Sequence, residues 1–180
     1  MVEISMIRDL VAIFGVIAGF SYYVLTVRNA QRIQKMQLET RQAQLFMQIV
    51  SQWNQPSMVE SRTWYFTLEL NTLDDFERLW QDPEAAKLLR VWGGFLEGIG
   101  VLVREGFLDI KVIAGLMGGV VKTHWEYQES YVYELREVWN SPRFWIEWEY
   151  LYTAMMKYAE DNPERVIQDV NDVRSWKLAQ

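Results

Sequence analysis

The sequence predicts an all-α protein: an N-terminal transmembrane helix that continues into a helical stalk and then into a cytoplasmic helical bundle. Three observations predict it. Leu10 to Val27, LVAIFGVIAGFSYYVLTV, is an uncharged run of eighteen residues. Residues 28–53 contain neither Pro nor Gly and are rich in Gln, so nothing interrupts a helix there. Beyond Trp53, apolar residues recur at three- and four-residue intervals, and no segment alternates as a strand does. The expected organisation is residues 1–27 (span about 10–27), a basic Gln-rich stalk over 28–54 and an acidic, aromatic-rich domain over 55–180.

As a helix the apolar run covers roughly 27 Å, close to the ~30 Å hydrocarbon core of a bilayer. Ile4, Met6 and Ile7 extend it if Arg8 and Asp9 snorkel or pair. Tyr22 and Tyr23 lie toward its C-terminal end, where an interfacial aromatic belt belongs, and Arg28 marks the exit. Gly15 and Gly19 form a GxxxG pair that permits close helix approach and self-association. Two other readings fit less well. A cleavable signal peptide has a basic start and a small-residue cleavage site, and neither is present. A core helix of a soluble protein is usually shorter or amphipathic.

Charge orients the span. Residues 1–27 carry net −1, residues 28–54 net +3, and residues 55–180 net −8. The basic flank follows the apolar run, so the positive-inside rule puts the later residues in the cytoplasm and a short N-terminus outside. The acidic zone repels a phosphate backbone and argues against nucleic-acid binding.

In the stalk, Ile33, Met36, Thr40, Ala43, Met47 and Val50 trace a heptad. Leu38, Leu45, Phe46 and Ile49 make a second stripe, and packing of the stalk on the domain is preferred over a free coiled coil. Each of the four prolines follows a capping type and reads as a helix start: Asn54-Gln55-Pro56, Asp82-Pro83, Ser141-Pro142 and Asn162-Pro163. Thr72-Leu73-Asp74-Asp75 resembles a capping box for a short helix ending near Trp80. Gly106 ends the helix begun at Pro83, Asp109 caps the next, and Gly118-Gly119 kinks it before His124. The core stripes are Leu88, Trp92, Phe95, Ile99 and Leu102, then Trp145, Trp148, Tyr152, Met155 and Ala159. Six or seven helices beyond Trp53, in a compact antiparallel bundle, are expected. Trp53-Asn54-Gln55-Pro56 and Trp139-Asn140-Ser141-Pro142 share W-N-x-P, which fits convergent capping better than duplication.

Composition narrows the chemistry. Zero Cys excludes disulfides, Cys-ligated zinc, iron–sulfur clusters and a thiol nucleophile, and one His leaves little for an imidazole metal site. His124 has no G-x-S-x-G, H-E-x-x-H or E-x-x-H around it and reads as a surface or core-edge residue. Gly93, Gly94, Gly98 and Gly100 lack the third glycine, strand and lysine of a nucleotide loop, so they read as close-packing positions, with Gly115 and Gly119 serving a facing helix likewise. Glu97, Arg104, Arg136, Glu147 and Glu149 sit among aromatics and read as a semi-buried ion-pair network. Whether Glu97, His124 and Glu149 are functional or structural stays open from sequence. No catalytic residue, cofactor or metal is expected.

Trp92-Gly93-Gly94-Phe95-Leu96-Glu97-Gly98-Ile99-Gly100-Val101-Leu102-Val103-Arg104-Glu105-Gly106-Phe107-Leu108-Asp109, then Trp125, Leu135-Arg136, Pro142 and Trp145 to Leu151, resemble the prokaryotic domain-of-unknown-function family 4760. That resemblance implies a single N-terminal span, a charged helical stalk and a helical domain with F-E-x-I-G, R-x-G-x-x-D, a later Trp and a late F/W-E-x-L motif. The late motif departs slightly, as Trp148-Glu149-Tyr150-Leu151. The resemblance implies no reaction and no catalytic residues.

The expected function is a single-pass membrane-anchored interaction scaffold or accessory subunit. Its partners would be the lipid bilayer, membrane or cytoplasmic proteins, and a second copy through the span or stalk. The alternative is a membrane-tethered hydrolase or ligand sensor using Glu97, Glu126, Glu147 or Glu149, which requires two carboxylates converging in a cleft.

Overall fold

The computed structural model describes residues 4–163. Among the described residues there are six helices and no strand: α1 (Ile4–Trp53), α2 (Pro56–Tyr65), α3 (Leu73–Gln81), α4 (Pro83–Arg104), α5 (Ile110–Val138) and α6 (Ile146–Asp161). The chain divides into two units between Leu45 and Phe46.

The first unit is helical throughout its described part, and the helix is long and apolar enough to cross a membrane. From Leu10 to Val27 every residue but Val24 is exposed. Ile33, Met36 and Leu38 are also exposed. The second stripe expected to pack is therefore split: Ile49 is buried and Phe46 half-buried, but Leu38 is 61% exposed.

In the second unit α4 runs through the middle, packed against α2, α3 and α6, while α5 packs on α6 and α3. Its buried face is Leu89, Trp92, Leu96 and Ile99. Of the expected stripe, Trp92, Phe95 and Ile99 are buried, but Leu88 and Leu102 are only half-buried. The interior is completed by Met58 and Tyr65 of α2, Phe76 of α3, Ile113, Val121, Trp125, Val132 and Leu135 of α5, and Trp148, Leu151 and Met155 of α6. Helices α5 and α6 run antiparallel, since Glu126 meets Tyr152 and Tyr133 meets Glu149.

Several helix ends follow local chemistry. Thr72 and Asp75 form the reciprocal capping box that starts α3. The Asp82 carboxylate accepts from the Glu84 and Ala85 N–H groups, with Pro83 in the first turn. Helix α4 stops in a Schellman turn: Phe107 N–H reaches the Leu102 carbonyl, Gly106 N–H reaches that of Val103, and Gly106 has φ +71°. Asp109 then caps α5 through the Lys111 N–H. Helix α5 is kinked at Met117 (φ −143°, ψ 17°), directly before Gly118.

Other ends do not. Gln55 precedes α2 without a side-chain cap, and the Asn54 amide donates back to the Val50 carbonyl of α1. Pro142 opens a turn, not a helix, and α6 begins at Ile146 behind Trp145, a left-handed residue with φ +50°. Helix α5 ends in its own Schellman turn with Asn140 left-handed (φ 48°), whereas Asn54 has no such conformation. The two W-N-x-P segments thus have different geometries, which supports convergence. Five helices follow Trp53 among the described residues, because α5 continues as one element through its kink at Met117 and the helix after Pro142 starts only at Ile146. The helix expected after Pro163 lies outside the described residues.

The α4/α6 crossing depends on two glycines. The Trp145 indole lies on Gly93, and the Glu147 backbone lies on Gly100, where a Cβ would overlap its carbonyl. Gly94, Gly98 and Gly115 have open space at the Cβ position, so their expected packing role is corrected. Gly100→Ala should therefore destabilise the domain by about 1–3 kcal/mol through overpacking, while Gly98→Ala in the same helix should stabilise it by about 0.8 kcal/mol. Urea unfolding of the full chain in detergent, followed by tryptophan fluorescence, measures both signs.

Candidate functional site

Helix α6 begins with no capping side chain of its own, since Trp145 offers no acceptor to the first turn. The acceptor comes from α4. Glu97 Oε2 accepts from the Glu147 N–H at 3.1 Å and the Trp148 N–H at 2.9 Å. These are the donors an N-cap carboxylate normally satisfies, and the helix dipole favours negative charge there. Burial nevertheless pushes the Glu97 carboxyl above its ordinary pKa, more than the two N–H groups pull it down.

Two arginines complete the cluster. Arg104 Nη2 lies 2.6 Å from Glu147 Oε2, with its guanidinium over the Tyr150 ring. Arg136 Nη1 lies 2.6 Å from Glu149 Oε2, and its Nε donates to the Phe144 carbonyl at 2.9 Å, bracing the turn that leads into α6. The Tyr133 hydroxyl is 2.9 Å from Glu149 Oε1 and 3.1 Å from Glu129 Oε1, and its single proton serves one at a time. Burial and the two carboxylates raise its pKa. Glu97, Glu147 and Glu149 are thus brought together at the start of α6, each already engaged by backbone N–H groups, arginine or tyrosine. Glu126 stands apart, 3.2 Å from the Tyr152 hydroxyl and 3.9 Å from Lys122 Nζ.

His124 is neither on the surface nor at the edge of the core. It is 2% exposed, stacked on Tyr65 at 4.4 Å, edge-on to Phe66 at 4.3 Å and to Trp92 at 5.2 Å. Beside it the Tyr65 hydroxyl donates to Gln128 Oε1 in a buried pair. Among the described residues neither imidazole nitrogen has a hydrogen-bond partner. Burial first, and the Arg62 charge second, push His124 down to about 3, so the folded protein holds it neutral.

The rings of Trp80, Trp139, Phe144 and Trp145 form a contiguous corner where α3, α5 and the turn before α6 meet, with Trp139 39% exposed. Aromatic side chains at a partly open rim suit protein contact. Tyr127 and Tyr131 of α5 pin the link between α2 and α3: the Tyr127 hydroxyl donates to the Leu68 carbonyl and accepts from the Leu70 N–H.

The residues assigned to the membrane interface, Gly15, Gly19, Tyr22, Tyr23 and Arg28, all lie on the exposed part of α1. Nothing within 4 Å would meet a Cβ at either glycine. Among the described residues no group of three or more His, Asp or Glu side chains is arranged to hold a metal ion. The sequence groups Glu97 with Arg104, Arg136, Glu147 and Glu149, whereas the structure makes it the cap of α6 and leaves the arginines to Glu147 and Glu149. Ser141-Pro142 looks like a capped helix start, so nothing in the sequence marks a cap that comes from fifty residues away.

Residues 9–155 match the family described as Domain of unknown function (DUF4760), and the chain belongs to that family. No curated protein and no solved structure matches it.

Glu97→Ala should cost about 1 kcal/mol through loss of the cap, and Glu97→Gln, which keeps a carbonyl acceptor, less than half of that; urea midpoints of the two variants decide. His124 is protonated below pH 6.5 when unfolded but stays neutral when folded, so its contribution is present above 6.5 and is lost as pH falls toward 3. Between pH 6.5 and 5 it should remove on the order of 2 kcal/mol. His124→Phe should flatten the stability profile over that interval, measured by urea unfolding at each pH.

Proposed function

We propose that the chain is a single-pass membrane protein whose acidic helical domain lies on the cytoplasmic side and acts by binding other proteins, as a scaffold or accessory subunit of a membrane complex. One observation carries the reading: an uncharged eighteen-residue run on a helix none of whose apolar window is buried, with mean hydropathy 2.1. Ten Val, Leu, Ile and Phe side chains lie between Leu10 and Val27. At about 1.5 kcal/mol or more each, moving them from water into lipid is worth on the order of 15 kcal/mol. That equals the whole stability of a typical domain. A lipid environment accounts for such a run without any partner helix.

Orientation rests on charge. Arg28, Arg32, Lys35 and Arg41 follow the run within one short segment, which the positive-inside rule assigns to the cytoplasm. The family match supports treating run and domain as one unit, since it extends from residue 9 into α6. The mechanism is localisation: confinement to a surface raises the effective concentration of the domain for partners on the same membrane. The Trp80–Trp139–Phe144 corner is the surface assigned to those partners. The carboxylates at the start of α6 are spent on a helix cap and ion pairs, which supports a structural role for them.

Full-length protein should sediment with membranes on ultracentrifugation and resist extraction by carbonate, and a charged substitution such as Ile17→Lys should release a large share into the supernatant. Full-length protein that stays in the supernatant overturns the anchor. Gentle solubilisation should bring down a stoichiometric companion that Trp139→Ala weakens by about tenfold, as an aromatic rim contact does.

A further inference from the structure

We infer that α1 carries one continuous dimer seam, running through the apolar run and on into the basic segment, and that its occupant is a second copy of this chain in parallel orientation. The inference rests on the membrane reading above. The heptad through Ile33, Met36, Thr40 and Ala43, stepped backward in threes and fours, meets Asn29, Thr26, Tyr22, Gly19, Gly15 and Ala12 without a break in phase. The glycine pair of the span and the apolar positions of the basic segment therefore share one face of one helix. A 3.5-residue period sustained over this length specifies a left-handed supercoil.

The exposed helix surface fits that role at three points. A shallow hollow is lined by Ile33, Met36, Gln37, Thr40 and Arg41, the first four at i, i+3, i+4 and i+7 and the arginine at its edge. Residues at i, i+3, i+4 and i+7 are the four that frame the hole for a knob from a facing helix. Met36 of a parallel second copy is the knob at that level. The two seam threonines are already satisfied within their own helix: Thr26 Oγ1 donates to the Tyr22 carbonyl at 2.9 Å and Thr40 Oγ1 to the Met36 carbonyl at 2.8 Å. They turn no unpaired donor toward a partner. Gly15 and Gly19 leave open space where a second backbone can approach at the left-handed crossing of about +20° common to membrane helix pairs, rather than at the right-handed crossing of a GxxxG dimer.

Charge leaves the seam clear. No seam position between Ala12 and Ala43 carries a charged residue, and Lys35, Glu39 and the Arg41 that edges the hollow all lie off the seam in the heptad. Asn29, at the exit from the apolar run, is the polar seam residue that fixes register. Seam length from Ala12 to Ala43 is about 47 Å, and a strip roughly 10 Å wide gives on the order of 900 Å² buried in total. That is below the roughly 1,200 Å² of stable specific interfaces, so the dimer is weak and reversible and depends on confinement in the membrane.

The absence of Cys makes the test direct. Single cysteines are placed in the full chain at seam positions (Ile33→Cys, Met36→Cys, Thr40→Cys) and on the opposite face (Gln31→Cys, Leu38→Cys). Each protein is reconstituted in vesicles of phosphatidylethanolamine and phosphatidylglycerol, floated to verify membrane insertion, and oxidised. Seam positions should form disulfide dimers at least about threefold more than the opposite face, and Gly15→Ile with Gly19→Ile should lower the Ile33→Cys yield by a similar factor. Equal yields on both faces, monomer throughout, or a stalk yield unmoved by the glycine changes overturns the seam while leaving the anchor intact. Protein that fails to float overturns both.

Discussion

The α4/α6 crossing is the constraint around which the domain is arranged. Gly93 and Gly100 remove the side chains that would hold the two helices apart, and the space is taken by the Trp145 indole and the Glu147 backbone. That proximity brings Glu97 within reach of the first turn of α6, so the cap comes from another helix. It also sets Arg104 against Glu147. The left-handed Trp145 is intelligible in the same terms. Its indole contacts Phe76, Trp80, Phe144 and Trp148, and this ring packing offsets the backbone cost of φ +50°.

The polar groups inside this core differ in what they contribute. Glu97 and the two arginine pairs have fixed partners at the half-buried start of α6, which offset part of the hydration they lose. His124 has none among the described residues. Its two nitrogens lie among rings, so it is tolerated only as a neutral side chain. It behaves as a flat, heterocyclic member of the ring stack formed by Tyr65, Phe66 and Trp92.

The two units obey different solvents in the proposed reading. In the described part of the second unit the buried apolar side chains pack on one another across helices. From Leu10 to Val27 they face outward, and the same residue types are stabilised only by surroundings that are themselves apolar. A domain that is acidic and a segment that is basic then follow from solubility on one side and headgroup attraction on the other.

Sequence by itself determined the features that depend on a few neighbouring residues: the apolar run, the uninterrupted helix after it, the capping box at Thr72, the caps at Asp82 and Asp109, and the Gly106 stop. These are governed by local backbone hydrogen bonds and by periodicity, which a linear string records. Tertiary structure alone decided which of the four glycines in α4 are notches, that His124 is interior, that Pro142 starts a turn, and that Glu97 caps a helix it is not part of. Each of those depends on which surfaces meet, and a residue's spacing along the chain carries no record of what lies across from it.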